Sequence, residues 1–212
     1  MAGWYLCSQP TKDKLKPWRV RLGIVLAVAV VLAATVLLAL RYAVIPEVKA
    51  AIDDARLDRF ALATTNDSSS LGFNVSIALA VRNTNRAMSV KYTEPVVANF
   101  VFHDRRLGTA AVAGEGHEHP PRRREVHLLR LGGEVPSGVI GDAAAEEFKK
   151  QNASGAFDVE LRFDVEISLG IGNTRGMSFS CPLRLQLAPP GPTVVVFRRV
   201  YCMHEEQEKN YF

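Results

Sequence analysis

The feature that most constrains this chain is an uncharged apolar run close to its N-terminus, Leu22–Leu40. Thr35 carries its only polar side chain. A helix of about nineteen residues rises roughly 28 Å, which is close to the thickness of the hydrocarbon layer of a bilayer. Backbone N–H and C=O groups inside lipid must bond to one another, so a lone segment crosses as a helix. Buried core helices rarely run this long without a charge, and the run therefore predicts a transmembrane helix.

The charges on either side of the run predict its orientation. The residues before it include five bases and one acid, Asp13, whereas the residues just after it are mixed in sign. The five bases are Lys12, Lys14, Lys16, Arg19 and Arg21. Because Lys and Arg are retained on the cytoplasmic side, we expect a cytosolic N-terminus and the remaining chain on the far side. The run is longer than the apolar part of a signal peptide and ends without a small-x-small cleavage site, so we predict a retained signal anchor.

The net charge of +4 comes from the short N-terminal segment. The chain has 26 Lys and Arg against 22 Asp and Glu, and the five bases and one acid before the run account for the whole excess. The domain beyond the run is therefore neutral, although the calculated pI of about 9.1 is that of a basic protein. A neutral domain lacks the excess positive charge that holds a nucleic-acid backbone, so we expect no nucleic-acid partner. The basic segment instead favours anionic lipid on the cytoplasmic leaflet.

These observations divide the chain into five segments. Residues 1–21 are predicted to form a cytosolic basic tail, 22–40 the transmembrane helix and 41–54 a stalk. Residues 55–202 are long enough for one domain with a hydrophobic core. Residues 203–212 read as a charged C-terminal tail.

Alternation of apolar and polar residues predicts strands with one face in water. The alternation is regular over Phe73–Val81, Phe157–Ser168 and Met177–Leu187. Less regular candidates are Ala55–Leu62, Met88–Phe102, Leu107–Val112, Glu125–Leu131 and Val194–Tyr201. Ser137–Lys150 places apolar residues on one face of a helix. About seven or eight strands with one short helix predict a mostly β domain, an antiparallel β-sandwich.

The candidates for chemistry lie in one stretch of the chain. His117-Glu118-His119 resembles a metal site most closely, but it lies in a predicted exposed loop and no third ligand follows at a suitable spacing, so we predict no metal. Arg122-Arg123-Arg124 is either a binding site for an anionic partner or a run of solvated charges. No nucleophile motif and no catalytic constellation is recognisable in the sequence. We therefore expect a protein that is not an enzyme and uses no cofactor.

Two kinds of modification are expected on the far side of the membrane. Asn66, Asn74 and Asn152 each begin an Asn-x-Ser sequon, so they are candidate glycosylation sites. Cys181 and Cys202 are the only cysteines after the apolar run. On the oxidising side they are candidates for a disulfide if Met177–Leu187 and Val194–Cys202 form a hairpin, but a buried free thiol at Cys181 is an equally good interpretation.

Several residues resemble a known plant family. Phe73–Arg86, with Asn83-Thr84-Asn85 at its end, resembles the strand that ends in Asn-Pro-Asn in the late embryogenesis abundant group 2 domain. Val90-Lys91-Tyr92, the Arg105–Gly108 turn and Ser180-Cys181-Pro182-Leu183 then follow in the family's order. With its basic tail and apolar run, the chain resembles harpin-induced-like proteins of the non-race-specific disease resistance type. Thr84 stands where that family usually has proline.

The resemblance implies a fold, a location and a function. It implies a fibronectin III-like sandwich anchored in the plasma membrane by one span, with the sandwich outside the cell. It also implies binding or scaffolding of protein partners in plant defence or stress response, and it implies no catalytic residues. It leaves the oligomeric state open.

Two other classes of function compete with that expectation. A lipid-binding or lipid-transfer module at a membrane would need an apolar groove between the two sheets. A type II membrane enzyme such as a glycosyltransferase would share the topology. The small domain and the lack of an Asp-x-Asp metal motif count against the enzyme.

The predicted topology makes the sequons a test of orientation. At least one of Asn66, Asn74 and Asn152 should carry a glycan, so the mature protein should lose mass on glycosidase treatment. Protease added to sealed microsomes should remove only the basic tail. Changing the five bases before the run to Glu should scramble this orientation. A sandwich that is digested from the cytosolic face of intact vesicles would show the reverse orientation.

Overall fold

The computed structural model describes residues 17–43, 48–65, 68–86, 88–168, 174–188 and 197–207. The chain divides into two compact units, Met1–Val44 and Ile45–Phe212. In the first unit, helix α1 (Pro17–Ala43) contains the apolar run. Its segment Trp18–Ala39 is long and apolar enough to cross a membrane, and every side chain in that segment is exposed. Thr35 Oγ1 donates to the carbonyl of Leu32 at 2.8 Å, so its hydroxyl needs no partner outside the helix.

The second unit is built mainly from antiparallel strands. Its strands are β1 (Val48–Thr65), β2 (Ser68–Asn83), β3 (Val90–Tyr92), β4 (Val96–Phe102), β5 (Arg105–Ala113), β6 (Glu118–His119), β7 (Arg124–Pro136), β8 (Ala156–Ser168), β9 (Thr174–Gln186), β10 (Val200–Tyr201) and β11 (Met203–Gln207). Its helices are α2 (Ser137–Ile140) and α3 (Asp142–Ser154). The predicted helix is divided by Gly141, whose φ of 84° is a conformation that favours glycine.

These strands form two sheets that pack face to face. The first sheet has four strands in the order β10-β1-β2-β7. The second sheet has seven strands, of which β11, β9 and β8 are consecutive. The other edge of β8 pairs with both β3 and β4; β3 then pairs with β6, and β4 pairs with β5. All pairs between these strands are antiparallel. The predicted fold class, mostly β with two antiparallel sheets, is confirmed.

The core follows from the alternation that the sequence shows. Along β8, the apolar residues of the alternating run are buried and their polar neighbours face outward. Aromatic rings then join the two sheets: the Phe60 ring of β1 lies 4.7 Å from that of Phe157 in β8, and 5.3 Å from that of Phe102 in β4. Phe148 of α3 adds a third ring at 5.5 Å from Phe60, so the helix closes this part of the core.

The sandwich begins earlier and ends later than predicted. Residues 48–54, which were assigned to a stalk, belong to β1, and Val48, Ala50 and Ile52 are buried. The alternation is hidden there because the register with β2 shifts between Ile52 and Asp54. Residues 203–207 were assigned to a charged tail, but they form β11 and pair with β9.

Cys181 and Cys202 are joined in the structure by a disulfide, with Cα atoms 4.3 Å apart. The predicted hairpin between β9 and residues 194–202 is wrong for the part that the structure describes, because β10 pairs with β1 in the other sheet. Cys202 lies between β10 and β11, where the chain crosses from the first sheet to the second, and its N–H donates to the carbonyl of Ala50 at 3.0 Å. The disulfide therefore fastens this crossing to β9.

Removing the disulfide should destabilise the sandwich. The bridge closes a loop with a sequence separation of 21. A crosslink of that span should contribute about 3 kcal/mol. The free energy of unfolding of the double variant Cys181→Ala/Cys202→Ala, measured in urea, should therefore be lower by about 3 kcal/mol. Cys7→Ala, at the third cysteine of the chain, is the matched control. An unchanged free energy of unfolding, or free thiols at both positions in non-reduced peptides, would contradict the bridge.

Candidate functional site: an arginine-rich end and a polar groove

A network of buried polar residues lies at one end of the sandwich. Asn83, Asn85 and His119 are the three buried polar residues of the described chain. The Asn83 side chain donates from Nδ2 to the carbonyls of Met88 and His119, both at 3.0 Å. Its Oδ1 accepts from the backbone N–H of Asn85 at 2.9 Å, and Asn85 Oδ1 accepts from that of Met88 at 3.0 Å. These bonds hold the loop after β2 against β6.

His119 completes this network. The prediction that it lies in an exposed loop is wrong, because it is buried in β6. Its Nε2 lies 3.0 Å from the carbonyl of Arg123, and because a carbonyl only accepts, Nε2 is the donor. Nδ1 then accepts from the hydroxyl of Tyr92 at 3.2 Å. Burial, with the nearby charge of Glu125, raises the pKa of Tyr92, so that hydroxyl remains a donor. Both ring nitrogens of His119 are therefore occupied within the protein.

His117 uses its ring differently. Its Nε2 lies 2.8 Å from Glu125 Oε2, and its ring stacks on that of Tyr92 with centroids 5.7 Å apart. His127 Nε2 lies 3.9 Å from the same carboxylate oxygen, and burial lowers the pKa of His127. Within the described residues no group of three or more His, Cys, Asp and Glu has the geometry to hold a metal ion. The Nε2 atoms of His117 and His119 thus have different partners, Glu125 and the carbonyl of Arg123, although both rings contact Tyr92.

The buried network positions a cluster of arginines. The backbone N–H of Arg122 donates to the carbonyl of Asn85 at 3.0 Å, and that of Asn83 donates to the carbonyl of Arg123 at 3.1 Å. Arg122 has a φ of 57°, which turns the chain into β7. Arg124 of β7 is then the register partner of Arg82 in β2. We call the set of exposed arginines at this end the arginine end, and it comprises Arg82, Arg86, Arg122, Arg123 and Arg124.

The arginine end contains few counter-charges. Arg124 pairs with Asp53, whose other carboxylate oxygen lies 2.8 Å from Arg199 Nε. The other four arginines make no ion pair with an acid of the described residues, so their guanidinium donors face water.

A polar groove of about 1050 Å³ lies on the outer face of the second sheet. Arg162 of β8 lies in it, 2.7 Å from Asp104 Oδ1 and 2.5 Å from Glu160 Oε2. These carboxylates, Glu160 foremost, raise the pKa of Arg162, and the hydrogen bond from Arg162 lowers the pKa of Glu160. Ser180 donates to Glu160, and Ser178 donates to Asp164 at 2.6 Å. The polar groups of the groove are therefore held in fixed positions before any ligand arrives.

The two described glycosylation candidates lie outside the arginine end and the groove. Asn74 is exposed on β2, and Asn152 is exposed on α3. Asn66 lies outside the described residues. The two described sequons are therefore accessible to a glycan.

Sequence reasoning missed what the two asparagines do. The Asn83-Thr84-Asn85 motif predicts a strand end, but the structure also places both asparagine side chains in the interior. The signal for this was available, because two asparagines separated by one residue at a strand end commonly bond to the backbone of the following loop. The sequence carries only a weak indication of the groove, since its lining residues come from five separate strands and one turn.

Comparisons with known proteins add little to this geometry. No family model matches the chain, and no curated protein matches it. A protein of known structure from Archaeoglobus fulgidus is similar over 65% of this chain and 98% of its own, with 9% sequence identity and a TM-score of 0.34. A likeness at that score carries no argument about fold or function. The resemblance to the late embryogenesis abundant group 2 family therefore stays a prediction.

The buried asparagine gives a direct test of the network. Asn83→Ala would leave two carbonyls and one N–H in the interior without partners, at about 1–3 kcal/mol each, so the variant should lose at least ~3 kcal/mol of stability in urea unfolding. Asn74→Ala, at an exposed position of the same strand, should stay within about 0.5 kcal/mol of the wild type. Equal stability of the two variants would show that the network does not support this end of the sandwich.

Proposed function

We propose that the chain is a single-pass membrane-anchored binding or scaffold protein whose sandwich holds a protein partner in the polar groove. The observation that carries this proposal is the groove itself, a set of paired charges at fixed positions on a rigid sheet. The apolar helix α1 supports the anchored part of the proposal. The flanking charges favour a cytosolic N-terminus and an extracellular sandwich.

The chemistry of the groove defines the kind of partner that fits. Asp104, Glu160 and Asp164 present carboxylate oxygens, and Arg162 already bonds to the first two. Asp164 accepts a hydrogen bond from the Ser178 hydroxyl and forms no ion pair with Arg162. Its negative charge is therefore the one that a cationic side chain of a partner can neutralise. Groups that are already oriented lose little conformational freedom on binding.

The same charges argue for binding without turnover. A general acid or base works best with a pKa near the working pH. In this groove Arg162 holds the pKa of Glu160 low, and Glu160 holds the pKa of Arg162 high, so both groups keep their charge near neutral pH. A stable charge pair positions a ligand but does not exchange protons with it.

A lipid-carrying function finds less support than protein binding. It needs an apolar cavity between the sheets, and aromatic rings meet in that space. The Phe73 ring of β2 stacks on that of Phe100 in β4 at 5.7 Å, and Phe60 meets Phe157 at 4.7 Å. The link to plant defence or stress response, and to the plasma membrane, depends on the family resemblance.

Charge reversal in the groove tests the proposal. Proximity labelling from the sandwich of the full chain in intact leaf cells should identify its neighbours. Asp164→Lys should reduce labelling of a bound partner at least about tenfold, because a like charge then faces the partner. Asp158→Lys is the matched control, since Asp158 is an exposed acid on the same face of β8 and does not line the groove.

Neighbours that disappear with Asp164→Lys and persist with Asp158→Lys are partners of the groove. An identical set of neighbours for both variants and the wild type would refute the groove as the binding surface.

A further inference from the structure

Four members of the arginine end, Arg82, Arg86, Arg122 and Arg123, are exposed and make no ion pair with an acid of the described residues. Arg82 of β2 and Arg124 of β7 are register partners on neighbouring strands. Like charges placed opposite one another on neighbouring strands destabilise a sheet. Arg122 and Arg123 lie in the turn before β7. Arg124 has Asp53 as its counter-charge, whereas an anion that bridged the arginines without an acid partner would stabilise this end.

The backbone beneath these side chains is rigid. Asn83 and Asn85 are buried, and both contribute backbone bonds to the turn that carries Arg122 and Arg123. The guanidinium groups are therefore presented from a fixed base, although their own side chains remain exposed. A planar guanidinium binds a phosphate through two parallel hydrogen bonds, and neighbouring arginines can share one or bind adjacent phosphates.

We propose that the arginine end binds the phosphates of phospholipid headgroups. The proposal rests on the anchored state in the proposed function, because a chain held in a bilayer always has that surface available. Four residues, 44–47, connect the last residue of α1 to the first residue of β1. Such a connection spans at most ~18 Å, so the bilayer is present at a high effective concentration for a site on the sandwich. The arginine end is next to the start of β1, since Val48 is the register partner of Asn83.

Headgroup binding would give the sandwich a preferred orientation on the membrane. A connection of four residues limits distance but not angle, whereas several bound phosphates fix the face that meets the lipid. Binding of this kind weakens as salt screens the charges. The orientation should therefore be lost at high ionic strength while the anchor holds.

The test uses the full chain in nanodiscs and measures hydrogen–deuterium exchange. Three conditions are compared: discs of phosphatidylcholine, discs with added phosphatidylglycerol, and phosphatidylcholine discs with inorganic phosphate in solution. Amides of residues 82–86 and 122–124 should exchange more slowly in the phosphatidylglycerol discs. That protection should fall about fivefold for each arginine that is removed. It should also disappear in high salt.

The variants are chosen to leave the fold intact. Arg122→Gln/Arg123→Gln removes two charges whose side chains make no ion pair in the described structure, and it keeps the backbone bonds to Asn83 and Asn85. Arg184→Gln is the matched control, an exposed arginine on the outer face of β9. It should retain full protection. The Cys181–Cys202 disulfide, mapped in each variant, reports that the sandwich is folded.

Each remaining outcome overturns the proposal. Equal exchange in the double variant and the wild type, in both kinds of disc, would show that these arginines do not bind headgroups. Protection by inorganic phosphate alone would assign the site to a soluble anion. None of these results affects the labelling experiment on Asp164, because that residue lies on the second sheet. Failure of the groove and failure of the arginine end are therefore separate results.

Discussion

Every polar group that this chain removes from water needs a hydrogen-bond partner inside the protein, and most of the structure follows from that constraint. In α1 the backbone satisfies itself, and Thr35 bonds to the carbonyl of Leu32. In the sandwich, long strands such as β2 pair with neighbours on both sides. Beyond the end of β2, strand pairing stops, and the buried side chains of Asn83 and Asn85 form the hydrogen bonds with the backbone of the following loop. The position of the arginine end follows from that replacement.

The disulfide and the aromatic core solve a second problem, which is how the two sheets are held together. The last described segment belongs to both sheets, because β10 pairs with β1 and β11 pairs with β9. Cys202 bonds covalently to β9 at the point of crossing, while its N–H bonds to Ala50 of β1. Rings from both sheets meet in the interior, with Phe60 against Phe157 and Phe73 against Phe100. Because aromatic rings fill the space between the sheets, both proposed binding surfaces lie on the outside of the sandwich.

Those outer surfaces differ in their electrostatics. In the polar groove, Arg162 pairs with Asp104 and Glu160, whereas Asp164 accepts a hydrogen bond from a hydroxyl, so binding there depends on fixed geometry and on one available carboxylate. At the arginine end, four of five guanidinium groups have no acid partner among the described residues, so binding there depends on the charge of the ligand. A groove of the first kind suits a specific protein segment. A surface of the second kind suits a repeated anion such as the phosphates of a bilayer.

The sequence by itself determined the elements whose pattern is local. The apolar run required a helix, and the alternation in β2, β8 and β9 required strands with one buried face, because periodicity along the chain dictates which side chains share a face. Only the tertiary structure decided where the sandwich begins and ends. The bulge between Ile52 and Asp54 interrupts the alternation of apolar and polar residues at the start of β1. The charged residues of β11 form a strand only because they pair with the edge of β9.

The sites divide in the same way. His117, His119 and the three consecutive arginines were visible in the sequence, but their roles depend on partners far along the chain. His119 is buried because Tyr92 and the carbonyl of Arg123 satisfy its ring, and neither contact is encoded in the local pattern. Residues from separate strands likewise become one groove only when β4, β8, β9 and β11 lie side by side. Local pattern sets which face a side chain occupies, and non-local strand pairing sets which side chains meet there.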